Sequence, residues 1–284
     1  MTTHPVGIDA VVHLAALSND PLGNLAPTTT YSINLDASVR LAEAAKAAGV
    51  GRFLYSSSCS VYGAAGGEGA LDETATMNPL TPCAISKVRV EDALTELADD
   101  TFSPTYLRNA TAYGFSPKLR SDLVRNNLVA MTFLTGEVRV LRNGTPWRPL
   151  VHIRDISTVF DLVLTAPLDL IHDQAFNVGA PSENYRVSEL AEIVANGVSG
   201  STIVITGEVG SDSRSYRVDF SKLSRVFPQH TPGWNAARGA SELAESYRMH
   251  GLTQDDLRNR CTRLNSIAQR QSSGHLDDDL RWLE

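Results

Sequence analysis

The chain has 284 residues, 42% of them hydrophobic and 20% charged, which is ordinary for a globular protein and enough to bury a sizeable core. Its formal net charge is −7 with acidic and basic residues mixed along the chain, so it carries no electrostatic footprint for nucleic acid. The three cysteines, Cys59, Cys83 and Cys261, follow no ligand or disulfide spacing; this argues against a zinc site or a disulfide framework and for a reducing cytoplasm.

The first residues, MTTHPVGIDAVVHLA, lack the basic region of a signal peptide, and no window approaches the ~20 apolar residues of a membrane span. Residues 8–15, IDAVVHLA, form a short Val-rich run that suits a strand buried on both faces. Residues 28–49 read as a helix with Ile33, Ala37, Leu41 and Ala44 on one face and Gly49 as its stop. A strand at 51–58, a turn-rich stretch at 63–81, a helix at 82–98 and a strand at 103–110 follow.

Further on, helices are expected at 120–136, 154–167 and 186–198, and strands at 137–141, 174–179 and 201–207. Residues 219–250 read as helical in parts. The polar tail from 251 reads as two short helices, with Leu280, Trp282 and Leu283 as docking residues. Strands alternating with helices predict an α/β, doubly wound parallel sheet. The expected division is a sheet domain over 1–114 and a smaller mixed lobe over 115–284, interleaved with the last sheet strands and ending in the tail.

Three features fall into one ordered frame: SSSCSVYG at a strand end, the spacing Ser58–Cys83–Lys87, and the series LRNATAYG, RNNL and WRPLVHIRDI. In order and spacing they resemble the extended short-chain dehydrogenase/reductases, and within these the NAD-dependent nucleotide-sugar epimerases and dehydratases. The resemblance runs from residue 8 to about residue 250 and implies a Rossmann-like fold, NAD as cofactor and a nucleotide-diphosphate sugar as substrate.

By that resemblance Ser58 is the catalytic serine that hydrogen-bonds the sugar hydroxyl, and Lys87 binds the nicotinamide ribose and lowers the pKa of a catalytic tyrosine. Ala15, Ala16 and Asn34 lie by the cofactor. Thr111, Asn127, Arg148 and Asp212 belong to the substrate side, Thr111 where several relatives have asparagine. No metal is implied. The chemistry agrees: a tyrosine of ordinary pKa near 10 becomes a usable base beside a lysine charge, and a guanidinium fork suits a diphosphate.

Taken singly, these residues also have plain structural readings. Ser58 could satisfy local backbone, Lys87 could be an exposed helix lysine, and Asn127 could lie on a helix surface. Arg148 could pair with Asp155 or Glu137, and Asp212 could be a turn residue. His13 reads as a satisfied core or strand-end histidine, and His152 as a residue orienting a helix start. Asn34, unfavourable in a helix interior, calls for a polar partner.

Two departures stand out. The tyrosine position is Cys83, and no GxxGxxG-type loop for the cofactor pyrophosphate precedes residue 8; GAAGGEG at 63–69 follows the serine strand instead. At ~30 residues per βαβ unit, the resemblance implies that roughly two units are missing at the N-terminal side. Strand 8–15 would then be an exposed apolar edge, inviting pairing with another chain or a homodimer. A thiol is shorter than a phenol, so a cysteine-based mechanism is less favoured than lost chemistry or a single substitution in an active relative. The expectation is weak or lost hydride transfer; the alternative is a non-catalytic nucleotide-sugar-binding partner of a full-length paralogue.

Overall fold

The computed structural model describes residues 7–63, 69–141, 143–198, 200–207 and 214–283. Four parallel strands form the central sheet, in the spatial order Ala10–His13, Arg52–Ser58, Ser103–Asn109, Gln174–Val178. Successive residues of Arg52–Ser58 are buried on opposite faces, which is why the sequence there is a continuous run rather than an alternation. Phe53 and Tyr55 pack with Ala42, Ala45, Val90 and Leu94 of the helices Ala37–Ala47 and Pro82–Leu97. Leu54 and Leu107 pack on the other side with Val159, Phe160 and Val163 of the helix Ile153–Thr165. Helices therefore cover both faces, as in a doubly wound α/β sheet.

Local chemistry explains the boundaries of the elements. Thr81 caps the Pro82–Leu97 helix by accepting from the Ala84 N–H at 3.2 Å, with Pro82 in the first turn where a missing N–H costs nothing. Gly63, at φ +62°, turns the chain out of the serine strand. A Cβ there would lie 1.6 Å from the Asn78 carbonyl oxygen, so only glycine fits. His152 caps the next helix as expected, its Nδ1 accepting from the Arg154 N–H at 3.2 Å.

A second core joins the helices Val124–Thr135, Val187–Gly197 and Ala236–Met249 through Leu128, Val129, Leu190, Val194, Leu243 and Tyr247. It also takes in Val138 and Val140 of the strand Glu137–Val140, which pairs parallel with Thr202–Ile205. Trp147–His152 pairs parallel with Thr111–Tyr113 and antiparallel with Asn184–Arg186. Among the described residues no helix is long and apolar enough to cross a membrane.

Two expectations need correction. The buried face of the first long helical stretch carries Asn34, Ser38, Ala42 and Ala45, whereas Ile33 and Leu41 are 39% and 40% exposed. The polar pair is buried because both residues find partners: Ser38 Oγ meets His13 Nε2 at 2.7 Å, and Asn34 meets Leu17. In the tail, Leu252, Leu257, Cys261 and Leu276 are buried and Leu280 is half-buried, while Trp282 and Leu283 are 66% and 52% exposed. Trp282 is covered on one side by the Arg270 guanidinium, 5.1 Å from its ring centre.

Candidate active site

The site is built at the carboxyl ends of the central strands, where the strand Arg52–Ser58 meets the N-terminal turns of the Pro82–Leu97 helix. Ser58 ends the strand and caps the short turn Cys59–Tyr62, its Oγ accepting from the Ser60 N–H at 3.1 Å. Cys83 and Lys87, one helical turn apart, share a face. Lys87 is 6% exposed; its Nζ donates to the Ser56 carbonyl at 2.5 Å and sits 4.9 Å from the centre of the Tyr55 ring. Burial pushes its pKa down, opposed by Cys83 and Glu91. Cys83 is also 6% exposed. Burial pushes its thiol up, against the pull of the Lys87 ammonium. A buried neutral thiol is no proton acceptor near neutral pH.

Asn34 finds the polar partners its sequence position calls for. Its Oδ1 accepts from the Leu17 N–H at 2.7 Å, and its Nδ2 donates to the Leu17 carbonyl and to Ser86 Oγ, both at 3.3 Å. These bonds fix the chain just past the first strand, where Ala15 is exposed and Ala16 half-buried. Asn34 sits in a π-helical turn, Ser32–Asp36, which makes room for this clamp. His13 is buried and satisfied by Ser38.

Beneath the serine strand lies a buried polar network that sequence reasoning missed. Ser57 Oγ donates to Glu91 Oε1 at 2.5 Å, and Glu91 forms a 2.7 Å ion pair with Arg108. Arg108 donates to Tyr62 Oη at 3.2 Å, and Tyr62 donates to Asn177 Oδ1 at 2.7 Å. The network ties three neighbouring strands of the sheet to the helix that bears Lys87.

A second group, also missed, stands over Cys83. The Asp20 carboxylate accepts from Thr81 Oγ1 and from Arg214 Nη1, each at 2.7 Å. Arg120 donates to the Ser18 carbonyl at 2.5 Å and pairs with Asp122 at 2.8 Å, while Asn19 donates to Asp122. The signal for it was the polar run SND placed directly after an apolar strand.

On the lobe side, Arg148 donates to the carbonyls of Trp147, at 2.9 Å, and of Arg214. Arg148 is thus joined to the helix N-terminus through Arg214, Asp20 and Thr81. Asn127 is exposed, its Nδ2 donating to the Ser121 carbonyl at 3.0 Å. Its neighbour Asn126 is buried and holds the Gly114 N–H and the Arg120 carbonyl. Thr111 pairs with Leu150 at the start of the lobe sheet. Asp212 lies outside the described residues.

The described residues fit one half of a dinucleotide. Lys87, Ser58 and the small side chains of Ala15 and Ala16 suit a nicotinamide ribose at the strand ends. The other half finds no counterpart among them. Beyond Ala10–His13, on the sheet's outer side, no further strand is paired and no glycine-rich loop opens a helix.

Comparison with known proteins agrees with this geometry. Over residues 2–179 the chain matches the family model for the NAD dependent epimerase/dehydratase family. It is 26% identical over 261 residues to a UDP-glucose 4-epimerase of Bacillus subtilis (strain 168), covering 85% of this chain and 75% of that protein. To the UDP-glucose 4-epimerase of Erwinia amylovora it is 26% identical over 255 residues, covering 83% and 74%. Among solved structures, MoeE5 in complex with UDP-glucose and NAD superposes with a TM-score of 0.74 at 28% identity, over 87% of this chain and 81% of that one. The UDP-glucose 4-epimerase of Thermotoga maritima with UDP-glucose gives a TM-score of 0.76 at 22% identity, over 86% and 78%, a likeness of fold. The family model covers more than half of the chain, and its parallel sheet is wound on both faces, so the chain belongs to the NAD dependent epimerase/dehydratase family, whose cofactor is NAD.

Proposed function

We propose that this chain binds a nucleotide-diphosphate sugar through its lobe and that its hydride-transfer activity is weak or lost. The observation that carries the reading is the buried, neutral Cys83 where relatives' chemistry calls for a phenolate. Loss of general acid–base help costs about 10²–10⁴ in rate. In this reading Ser58 orients the sugar hydroxyl and Lys87 faces the nicotinamide ribose. Asn127 and Arg148 grip the diphosphate, with Thr111 at the sugar and Asp212 at the nucleotide ribose. Residues 1–114 act as the cofactor-side unit and 115–284 as the substrate-side lobe. A cytoplasmic location goes with three unpaired cysteines.

The test is calorimetric titration with UDP-glucose, with and without NAD, beside an epimerisation assay. Sugar-nucleotide binding that does not require NAD, weakened about tenfold by Arg148→Ala, with slow or no turnover, supports the reading. Tight NAD binding with rapid epimerisation overturns it.

A second reading is favoured by one further observation. Among the described residues the strand Ala10–His13 is an edge of the sheet, with Val12 in it and Ile8 and Leu14 beside it exposed. Such an edge suits a non-catalytic member that completes its sheet with a full-length paralogue. Formation of a stoichiometric complex with an active epimerase from the same cell, lost in Val12→Lys, distinguishes this role.

A further inference from the structure

A cavity of about 470 Å³ opens between the loop after the strand Thr111–Tyr113, the end of the helix Ala236–Met249 and the segment that follows that helix. Its size is that of a small-molecule site. None of Ser58, Cys83, Lys87, Thr111, Asn127 or Arg148 lines it.

Floor and rim differ in chemistry. Leu119, Tyr247, Leu252 and Cys261 give a buried floor, with the Tyr247 hydroxyl engaged by the Asn126 carbonyl at 3.2 Å. The rim carries Lys118, Arg260 and Arg263, with Phe115 stacked on His250 at a ring separation of 4.4 Å. The cations are not balanced within the cavity. Arg260 is paired with Asp256 at 2.8 Å, but no ion pair among the described residues engages Lys118 or Arg263. Arg263 is half-buried, and burial together with the neighbouring Arg120 charge pushes its pKa down, against the pull of the Asp122 carboxylate, which is itself paired with Arg120 at 2.8 Å. One carboxylate, Asp122, thus serves two guanidiniums, Arg120 and Arg263, and a further anion at the rim would supply the second negative charge.

We propose that this cavity is a second ligand site, distinct from the nucleotide-sugar site, which takes a small anion with a flat apolar body. The flat body would lie on the apolar floor against the Phe115–His250 stack, which offers an aromatic face. The anionic group would reach Arg263 and Lys118 at the rim. Two features are required together. An inorganic anion leaves the floor wet, and a neutral ring leaves Arg120 and Arg263 sharing the one Asp122 carboxylate.

Phenyl phosphate is the probe, with inorganic phosphate and phenol as its two halves, titrated into the full chain by calorimetry. Phenyl phosphate is expected to bind at least about tenfold more tightly than either half. Arg263→Gln and the exposed Lys118→Gln, which cannot disturb the core, should each weaken it, and Phe115→Ala should weaken it without weakening phosphate. Saturating UDP-glucose should leave the affinity unchanged. Absence of phenyl phosphate binding, indifference to both Arg263→Gln and Lys118→Gln, or equal binding of phosphate alone overturns the proposal. Displacement by UDP-glucose overturns it as well, by making the cavity part of the nucleotide-sugar site.

Discussion

Lys87 and Ser56 are joined by a hydrogen bond of 2.5 Å from the ammonium to the main-chain carbonyl. The bond ties the catalytic-type helix to the strand that ends in Ser58, two residues further on. It also commits one of the ammonium's three donors to the protein before any ligand arrives. Burial pushes this ammonium toward its neutral form, while the carbonyl acceptor and the nearby Cys83 and Glu91 favour the charged one.

From this follows the outcome for Cys83→Tyr. The substitution supplies a phenol next to Lys87, but it adds nothing to the pyrophosphate side of the cofactor site. Gly23 lies against position 83, its would-be Cβ 3.7 Å from the Cys83 Cβ, so a larger side chain must be directed away from that wall. Turnover of UDP-glucose in the presence of NAD is expected to stay within about tenfold of the parent chain, well short of the ~10²–10⁴ that a working acid–base group contributes. A coupled epimerisation assay on both proteins at equal concentration decides the matter. Full rescue would show that residue 83 alone limits the chemistry.

The Glu91–Arg108 pair gives a stability prediction. Both side chains are nearly inaccessible, 4% and 6% exposed, and Glu91 is also the acceptor for Ser57. Glu91→Gln keeps the shape but leaves the Arg108 charge uncompensated in the core. The expected loss is about 3–5 kcal/mol, the range for breaking a buried pair from one side. Urea unfolding followed by circular dichroism measures it. A loss under about 1 kcal/mol would mean that water reaches Arg108.

His13 predicts a dependence of stability on pH. Burial, and secondarily the Lys87 charge, push its pKa below the ordinary 6.5. Below that ordinary value the unfolded chain takes up a proton that the folded chain refuses. Stability therefore falls as pH drops from about 6.5 toward the lowered folded value, with a slope of at most about 1.4 kcal/mol per pH unit from this one group. His13→Gln, which keeps a polar partner for Ser38, should flatten the midpoint curve between about pH 6.5 and 5. An unchanged curve in that variant would assign the acid sensitivity to other groups.

The sheet strands and the helix that carries Lys87 were legible because their signals are local: continuous apolar runs for strands buried on both faces, and Thr81–Pro82 for a helix start. The face of the first long helical stretch was not. Periodicity favours the larger residues Ile33 and Leu41, yet the buried face is fixed by partners far along the chain, Leu17 for Asn34 and His13 for Ser38. Asp20 and Arg120 were missed for the same reason. Their partners, Arg214 and Ser18, stand 194 and 102 residues away, and spacing in one sequence carries no mark of such pairs. The serine–lysine frame was legible only because the order of several weak motifs resembles a family.

The first strand gives the last prediction. Among the described residues Ala10–His13 is paired on one side only, with Arg52–Tyr55, and Val12 and Leu14 are 38% and 64% exposed. Ile33 and Leu41 are exposed as well. Apolar side chains beside unpaired main-chain donors and acceptors make a template for another strand, and a lysine on such an edge is the usual means of blocking one. Val12→Lys changes an exposed position, so its effect on thermal stability should stay within about 0.5 kcal/mol. Its effect on association should be large. Sedimentation or light scattering across a concentration series is expected to show self-association or aggregation in the parent chain and a markedly smaller effect in Val12→Lys. A parent chain that stays monomeric at high concentration with a cooperative melt would show that this edge is protected by its own twist and shortness rather than by a partner.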